Sequence, residues 1–148
     1  MRKGFTLLEL LVTISIIGLL LGIGAVSFST AQKRGRDSRR QGDMKAIQKS
    51  LEQCYSIDTK YPQTAASDSS LDCSDGTMTM NQVPSDPQST GSYTYTVDSD
   101  PATVYCLCSL LENIGKGNAS DDGAGGGGSC TWDAGGVDNN YFCVSNQQ

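Results

Sequence analysis

Two sets of side chains in this chain have the types and spacing for chemistry. The first is a lone acid, Glu9, inside an apolar run that extends from Phe5 to Phe28. A carboxylate at the centre of a spanning helix costs ~2.5–3.5 kcal/mol on insertion scales, so an acid kept there implies a partner charge. The second is a group of six cysteines, Cys54, Cys73, Cys106, Cys108, Cys130 and Cys143, all after residue 50. There is no histidine and no Cys-x-x-Cys pair, which argues against structural zinc. An even count in a small domain behind a hydrophobic segment reads instead as a disulfide framework in an oxidising compartment. Cys106 and Cys108 lie two apart, so on a strand they share a face and a bond between them would be strained. Cys130 and Cys143 are their natural partners, with Cys54–Cys73 as the third pair, although the spacing does not choose among the connectivities.

No catalytic set emerges from the rest. The chain lacks histidine, the cysteines read as paired, and the carboxylates fall in loop-like stretches. Gly123–Gly128 lacks the Gly-Lys-Ser/Thr of a phosphate-binding loop and reads as a surface loop. Asp121, Asp122, Asp133 and Asp138 are acidic enough for calcium, but their spacing fits no calcium loop. Neither a metal nor a cofactor is expected, and Asn118-Ala119-Ser120 is a weak glycosylation sequon.

The elements that must position these groups follow from charge and periodicity. Residues 1–49 carry nine Lys/Arg against Glu9, Asp37 and Asp43, a net +6. Residues 50–148 carry Lys60 and Lys116 against thirteen acids, a net −11, which argues against a nucleic-acid-binding domain there. Met44, Ile47, Leu51 and then Cys54 or Tyr55 recur at helical intervals. With no proline before Pro62, one helix from about Phe5 to about Ser56 is expected, ~75–80 Å long at 1.5 Å per residue. The basic residues between Lys33 and Lys49 read as a solvated helix face with local pairing to Asp37 and Asp43. Contact with anionic head groups or with acidic domains of neighbouring subunits is the second reading. The glycines Gly18, Gly22 and Gly24 suit close helix packing through small residues.

A secretory signal peptide with a basic Arg2-Lys3 start is the simplest account of the N-terminus. The 24-residue run is long for one, and no small-x-small site ends it cleanly. A plain signal anchor explains the length but not Glu9. The segment Lys3-Gly4-Phe5-Thr6-Leu7-Leu8-Glu9-Leu10-Leu11-Val12 resembles the class III signal of type IV pilins and of the pseudopilins of type II secretion and competence systems. The resemblance implies that the sequence is a precursor, cut by a prepilin peptidase between Gly4 and Phe5, with the new Phe5 amine N-methylated. It implies that Glu9 meets the Phe5 amine of a neighbouring subunit and sets the register of assembly, a use suited to a buried ion pair. The implied partners are further copies in a helical filament, minor pilins, the peptidase, an inner-membrane assembly platform and, before assembly, membrane lipid. The implied location is a single-pass membrane precursor with its head outside the cytoplasm, then an extracellular or periplasmic filament. The basic cluster after the apolar run opposes that orientation by the positive-inside rule; the cysteines and the signal favour it.

The resemblance also gives the fold class: α+β and pilin-like, one long N-terminal helix packed on a small antiparallel sheet with a disulfide-stapled head. The expected organisation is a leader at 1–4, a transmembrane or filament-core half-helix at 5–28, a basic amphipathic half-helix at 29–56 and a head at 57–148. Within the head, 58–83 reads as a long connection ended by Pro84-Ser85-Asp86-Pro87. Strands are expected at 92–97, 103–111 and 141–144, with a turn at 98–102. The function so implied is a structural filament subunit, of a pilus or of a secretion or competence system. A membrane-anchored monomeric binding or adhesin module is the alternative from another class.

Overall fold

The computed structural model describes residues 4–88, 93–97, 102–121 and 138–147, with the side chains of 25, 26 and 97 left aside. Arg2, Lys3, most of the expected 98–102 turn, the Gly123–Gly128 run, Asp122, Asp133 and Cys130 lie outside those residues. The elements are a helix α1 (Leu7–Asp58) and strands β1 (Leu71–Asp72), β2 (Met78–Met80), β3 (Tyr93–Val97), β4 (Tyr105–Leu110) and β5 (Tyr141–Ser145). The chain divides into two compact units, Met1–Gly35 and Arg36–Gln148.

The first unit is helix from Leu7 onward, and its large apolar side chains are exposed among the described residues. Leu8, Leu11, Ile14, Leu19 and Ile23 are all more than half exposed. Three of its hydroxyls bond back to the helix's own carbonyls. Thr13 Oγ1 donates to the Leu10 carbonyl at 2.8 Å, and Ser15 Oγ to the Leu11 carbonyl at 2.8 Å. Ser27 Oγ donates to the Ile23 carbonyl at 3.3 Å. Such back-bonding lets small polar residues sit in an apolar medium without a lost hydrogen bond. A Cβ built on Gly18, Gly22 or Gly24 would meet nothing within 4 Å, so no contact inside the chain requires glycine there.

The second unit contains the core. Along α1, Asp37, Arg40, Met44, Ile47, Leu51 and Cys54 are buried at alternating steps of three and four, with Ser50 buried beside Leu51. That is one face of an α-helix. Met44, Ile47 and Leu51 pack with Tyr105 and Leu107 of β4, with Tyr93, Tyr95, Phe142 and Val144 around them. Each fully buried aliphatic side chain of this kind contributes ~1.5–3 kcal/mol. The sheet is antiparallel in the order β3-β4-β5. Tyr93 lies opposite Ser109 and Cys106 opposite Ser145. Tyrosine suits this core because its ring packs while its hydroxyl finds an acceptor. Tyr93 donates to Asp43 at 2.7 Å, Tyr95 to the Pro62 carbonyl at 2.6 Å, and Tyr61 and Tyr105 to Glu52.

The structure corrects the reading of 58–83 as a plain connection. Helix α1 stops at Asp58, with Thr59 at a positive φ of 55° and its N–H bonded to the Tyr55 carbonyl. Beyond it, β1 and β2 pair as a small antiparallel hairpin. The Cys54–Cys73 disulfide ties that hairpin to the helix. Strands of two and three residues are too short to show alternation, which is why the sequence pattern did not reveal them. On the far face of the sheet Cys108 and Cys143 lie directly opposite each other and are bonded. Cys106 is also disulfide-bonded.

The free edge of β5 is closed by residues 117–119. Asn118 uses its side-chain amide as a strand residue uses its backbone: Nδ2 donates to the Cys143 carbonyl and Oδ1 accepts the Cys143 N–H. The Asn118 nitrogen is thus committed to the sheet edge rather than presented for glycosylation. The approach is so close that a Cβ on Gly117 would fall 2.0 Å from the Tyr141 carbonyl oxygen.

Candidate assembly site

At the start of α1 the chain spells Thr6-Leu7-Leu8-Glu9, and the structure uses it as a reciprocal cap. The Thr6 N–H and the Thr6 hydroxyl both donate to Glu9 Oε2, each at 2.9 Å. The Glu9 N–H donates back to Thr6 Oγ1 at 3.3 Å. A helix leaves its first N–H groups without partners, and this arrangement satisfies two of them. The carboxylate is held against its own helix start, at the head of the apolar run. Sequence reasoning passed over Thr6, although a Thr three residues before a Glu at the head of an apolar run is a recognisable signal. Gly4, Phe5 and Thr6 precede the helix, and Phe5 is 87% exposed. The Gly4–Phe5 bond therefore lies outside the hydrogen-bonded helix.

A second polar centre lies in the head, where the sequence reading expected a solvated face. Arg40 and Asp37 are buried, at 2% and 5% exposure. Arg40 grips Asp86 with two bonds, Nε to Oδ2 at 2.7 Å and Nη2 to Oδ1 at 2.9 Å. Its Nη1 reaches Asp37 at 2.8 Å and Glu112 at 3.0 Å. Arg36 holds Glu112 from the other side with two bonds of 2.6 Å. Asp37 in turn accepts the Glu112 N–H at 2.9 Å and the Asn113 N–H at 3.0 Å. Planar guanidinium groups suit such forked pairing with carboxylates. The cluster ties α1 to the Pro84–Pro87 segment and to the end of β4.

The charges in the cluster are stabilised as charges. The Arg36 hydrogen bond leads in holding the Glu112 carboxyl down, to about 2 from an ordinary 4.5, with Arg40 adding to it. Burial pushes the Asp37 carboxyl up, but bonds from Glu112, Asn113 and Arg40 outweigh it and leave it below the usual range. Burial likewise pushes Asp86 up, and the Arg40 bond leads in bringing it below normal. Arg40 is raised, chiefly by its bond to Asp86. Among the described residues no group of three or more His, Cys, Asp or Glu is arranged to hold a metal.

Residues 1–25 match a family described as the prokaryotic N-terminal methylation motif. The chain carries a prepilin-type signal. No curated protein and no solved structure matches it. With that motif, the long helix, the small antiparallel sheets and the disulfides make up the pilin-like α+β arrangement. The pilin-like reading also explains why α1 contains a stretch long and apolar enough to cross a membrane, none of it buried in the chain. Proteins with this motif are structural, processed by a prepilin peptidase and assembled into filaments. The pilin-like chain brings Thr6 and Glu9 together at one end of α1 and Arg36, Asp37, Arg40, Asp86 and Glu112 together in its head.

Proposed function

We propose that this chain is the precursor of a structural subunit of a type IV pilus or a pilus-like filament. The observation that carries the reading is the methylation motif over residues 1–25. Prepilin peptidase cuts between Gly4 and Phe5, removing residues 1–4 on the cytoplasmic side, and the Phe5 amine is N-methylated. The apolar helix holds the subunit in the membrane, with the disulfide-stapled head on the oxidising side. Minor pilins and an assembly platform complete the machine. On assembly, Glu9 exchanges part of its bonding with Thr6 for the Phe5 amine of another copy. A carboxylate and an ammonium then satisfy each other where both are costly alone.

Mass spectrometry of protein recovered from cells tests the reading directly. An N-terminus at Phe5, with one added methyl, is the expected result. An intact Met1, or a cut after the apolar run, counts against it. Glu9→Leu is expected to leave cleavage in place while sheared filament disappears from electron micrographs.

A further inference from the structure

The head carries its own electrostatic problem. Residues 50–148 hold thirteen acids against two lysines, so heads packed beside one another repel. The surplus of cations lies on α1, and most of those in the head unit are already used. The ion pairs of the described residues engage Arg36 and Arg40 with Asp37, Asp86 and Glu112, and Arg39 with Asp43. Lys45 and Lys49 enter none of these pairs. They stand exposed one helical turn apart, so their Cβ atoms are ~5–6 Å from each other. Like charges at this spacing repel, and the helix keeps them together with no ion-pair partner among the described residues.

These two lysines border a groove of about 410 Å³ lined also by Gln48, Glu52 and Gln147. Its polar floor is committed within the chain. Gln48 Nε2 donates to the Ser145 carbonyl at 2.7 Å. Glu52 accepts from Tyr61, Tyr105 and the Gln147 N–H. The groove therefore offers two cations on a fixed floor, open to an acidic visitor.

The same head presents an acidic projection of matching character. The β1–β2 turn carries Asp72 and Asp75, both exposed. Its shape is fixed from several directions. Cys73 bonds to Cys54, and the Asp75 N–H donates to Asp58 at 2.8 Å. The Asp75 carboxylate accepts the Thr77 N–H and hydroxyl, each at 2.7 Å, and Gly76 takes the left-handed φ of 84° that closes the turn. A pre-ordered acidic turn loses little freedom when it docks.

We propose that the Lys45–Lys49 groove of one copy receives the Asp72–Asp75 turn of a second copy. Groove and turn are different patches of one surface. Such a heterologous contact leaves a free groove and a free turn at its two ends, and it extends into an open helical polymer wherever the rotation between copies does not close a ring. The inference rests on the filament reading and gives it an electrostatic contact between heads, separate from Glu9.

Charge reversal in the full-length chain tests it, with filament yield read from sheared fractions. Both Lys45→Glu with Lys49→Glu and Asp72→Lys with Asp75→Lys are expected to lower yield about tenfold or more, since like charges brought face to face oppose docking. All four substitutions together are expected to restore yield. Leader cleavage to Phe5 and thermal unfolding in detergent check that each variant is processed and folded. Unchanged yield in the lysine variant, or no recovery in the fourfold variant, overturns the contact while leaving the filament reading intact. A lysine variant that loses binding to phosphatidylglycerol vesicles but assembles normally assigns the groove to lipid and also overturns it. If the unaltered chain is never cleaved and forms no filament, the filament reading itself fails.

Discussion

The two halves of α1 treat an acid in opposite ways. At Glu9 the carboxylate is bonded to Thr6 three residues away, and every large apolar side chain around it is exposed. At Asp37 the carboxylate is buried among groups more than seventy residues distant, Glu112 and Asn113. Residues 7–35 form regular helix that completes nothing within the chain, whereas residues 37–54 supply the spine of a core. Helix formation needs only local hydrogen bonds and a cap. Burial of a charge needs partners that only a folded head provides. The first half is thus ready for an environment outside itself, while the second is finished.

Removing Arg40 breaks that contrast most strongly. Arg40→Ala leaves Asp37, Asp86 and Glu112 without their shared cation, and the head is expected to lose ~3–5 kcal/mol, read from denaturant unfolding of the full chain in detergent. Next comes the tether between helix and hairpin. Cys54→Ser with Cys73→Ser opens a loop of sequence separation 19, and the expected loss is ~3 kcal/mol in the same assay.

Acid gives a graded version of the same test. Glu112 has a lower pKa folded than unfolded, so its contribution is complete above about 4.5 and is lost as pH falls toward about 2. Asp37 and Asp86 shift in the same direction. Head stability is therefore expected to fall as pH drops below 4.5, and the fall should be shallower in Glu112→Gln, followed by circular dichroism. The smallest effect sharpens the contrast from the other half. Leu20→Ala removes a side chain that touches no core, so head unfolding should move by less than ~0.5 kcal/mol. A larger change would mean that the first half of α1 supports the head after all.

Much of this was legible in particular residues. Met44, Ile47 and Leu51 showed the buried face of the helix, and Tyr93-Thr94-Tyr95 showed a strand, because both rest on periodicity. The Asp37–Arg40 centre was misread as a solvated face for a physical reason. Its two residues continue the three-and-four stripe, but charged side chains on such a stripe point to water unless partners arrive from elsewhere. Those partners, Asp86 and Glu112, sit in a proline-bounded segment and just beyond a strand, with no local pattern to mark them. Thr6 was available in the sequence, as half of a capping pair.

What the sequence determined alone is what depends on near neighbours: the apolar helix, its cap at Thr6 and Glu9, and the methylation motif over residues 1–25. The tertiary structure decided which charges are buried and that Cys54 bonds Cys73 and Cys108 bonds Cys143. It also decided that Lys45 and Lys49 stand beside a groove, outside the ion pairs of the described residues. Local hydrogen bonding and hydrophobic periodicity are written into consecutive residues. The pairing of a buried charge or a thiol depends on which distant segment the folded chain brings into bonding reach.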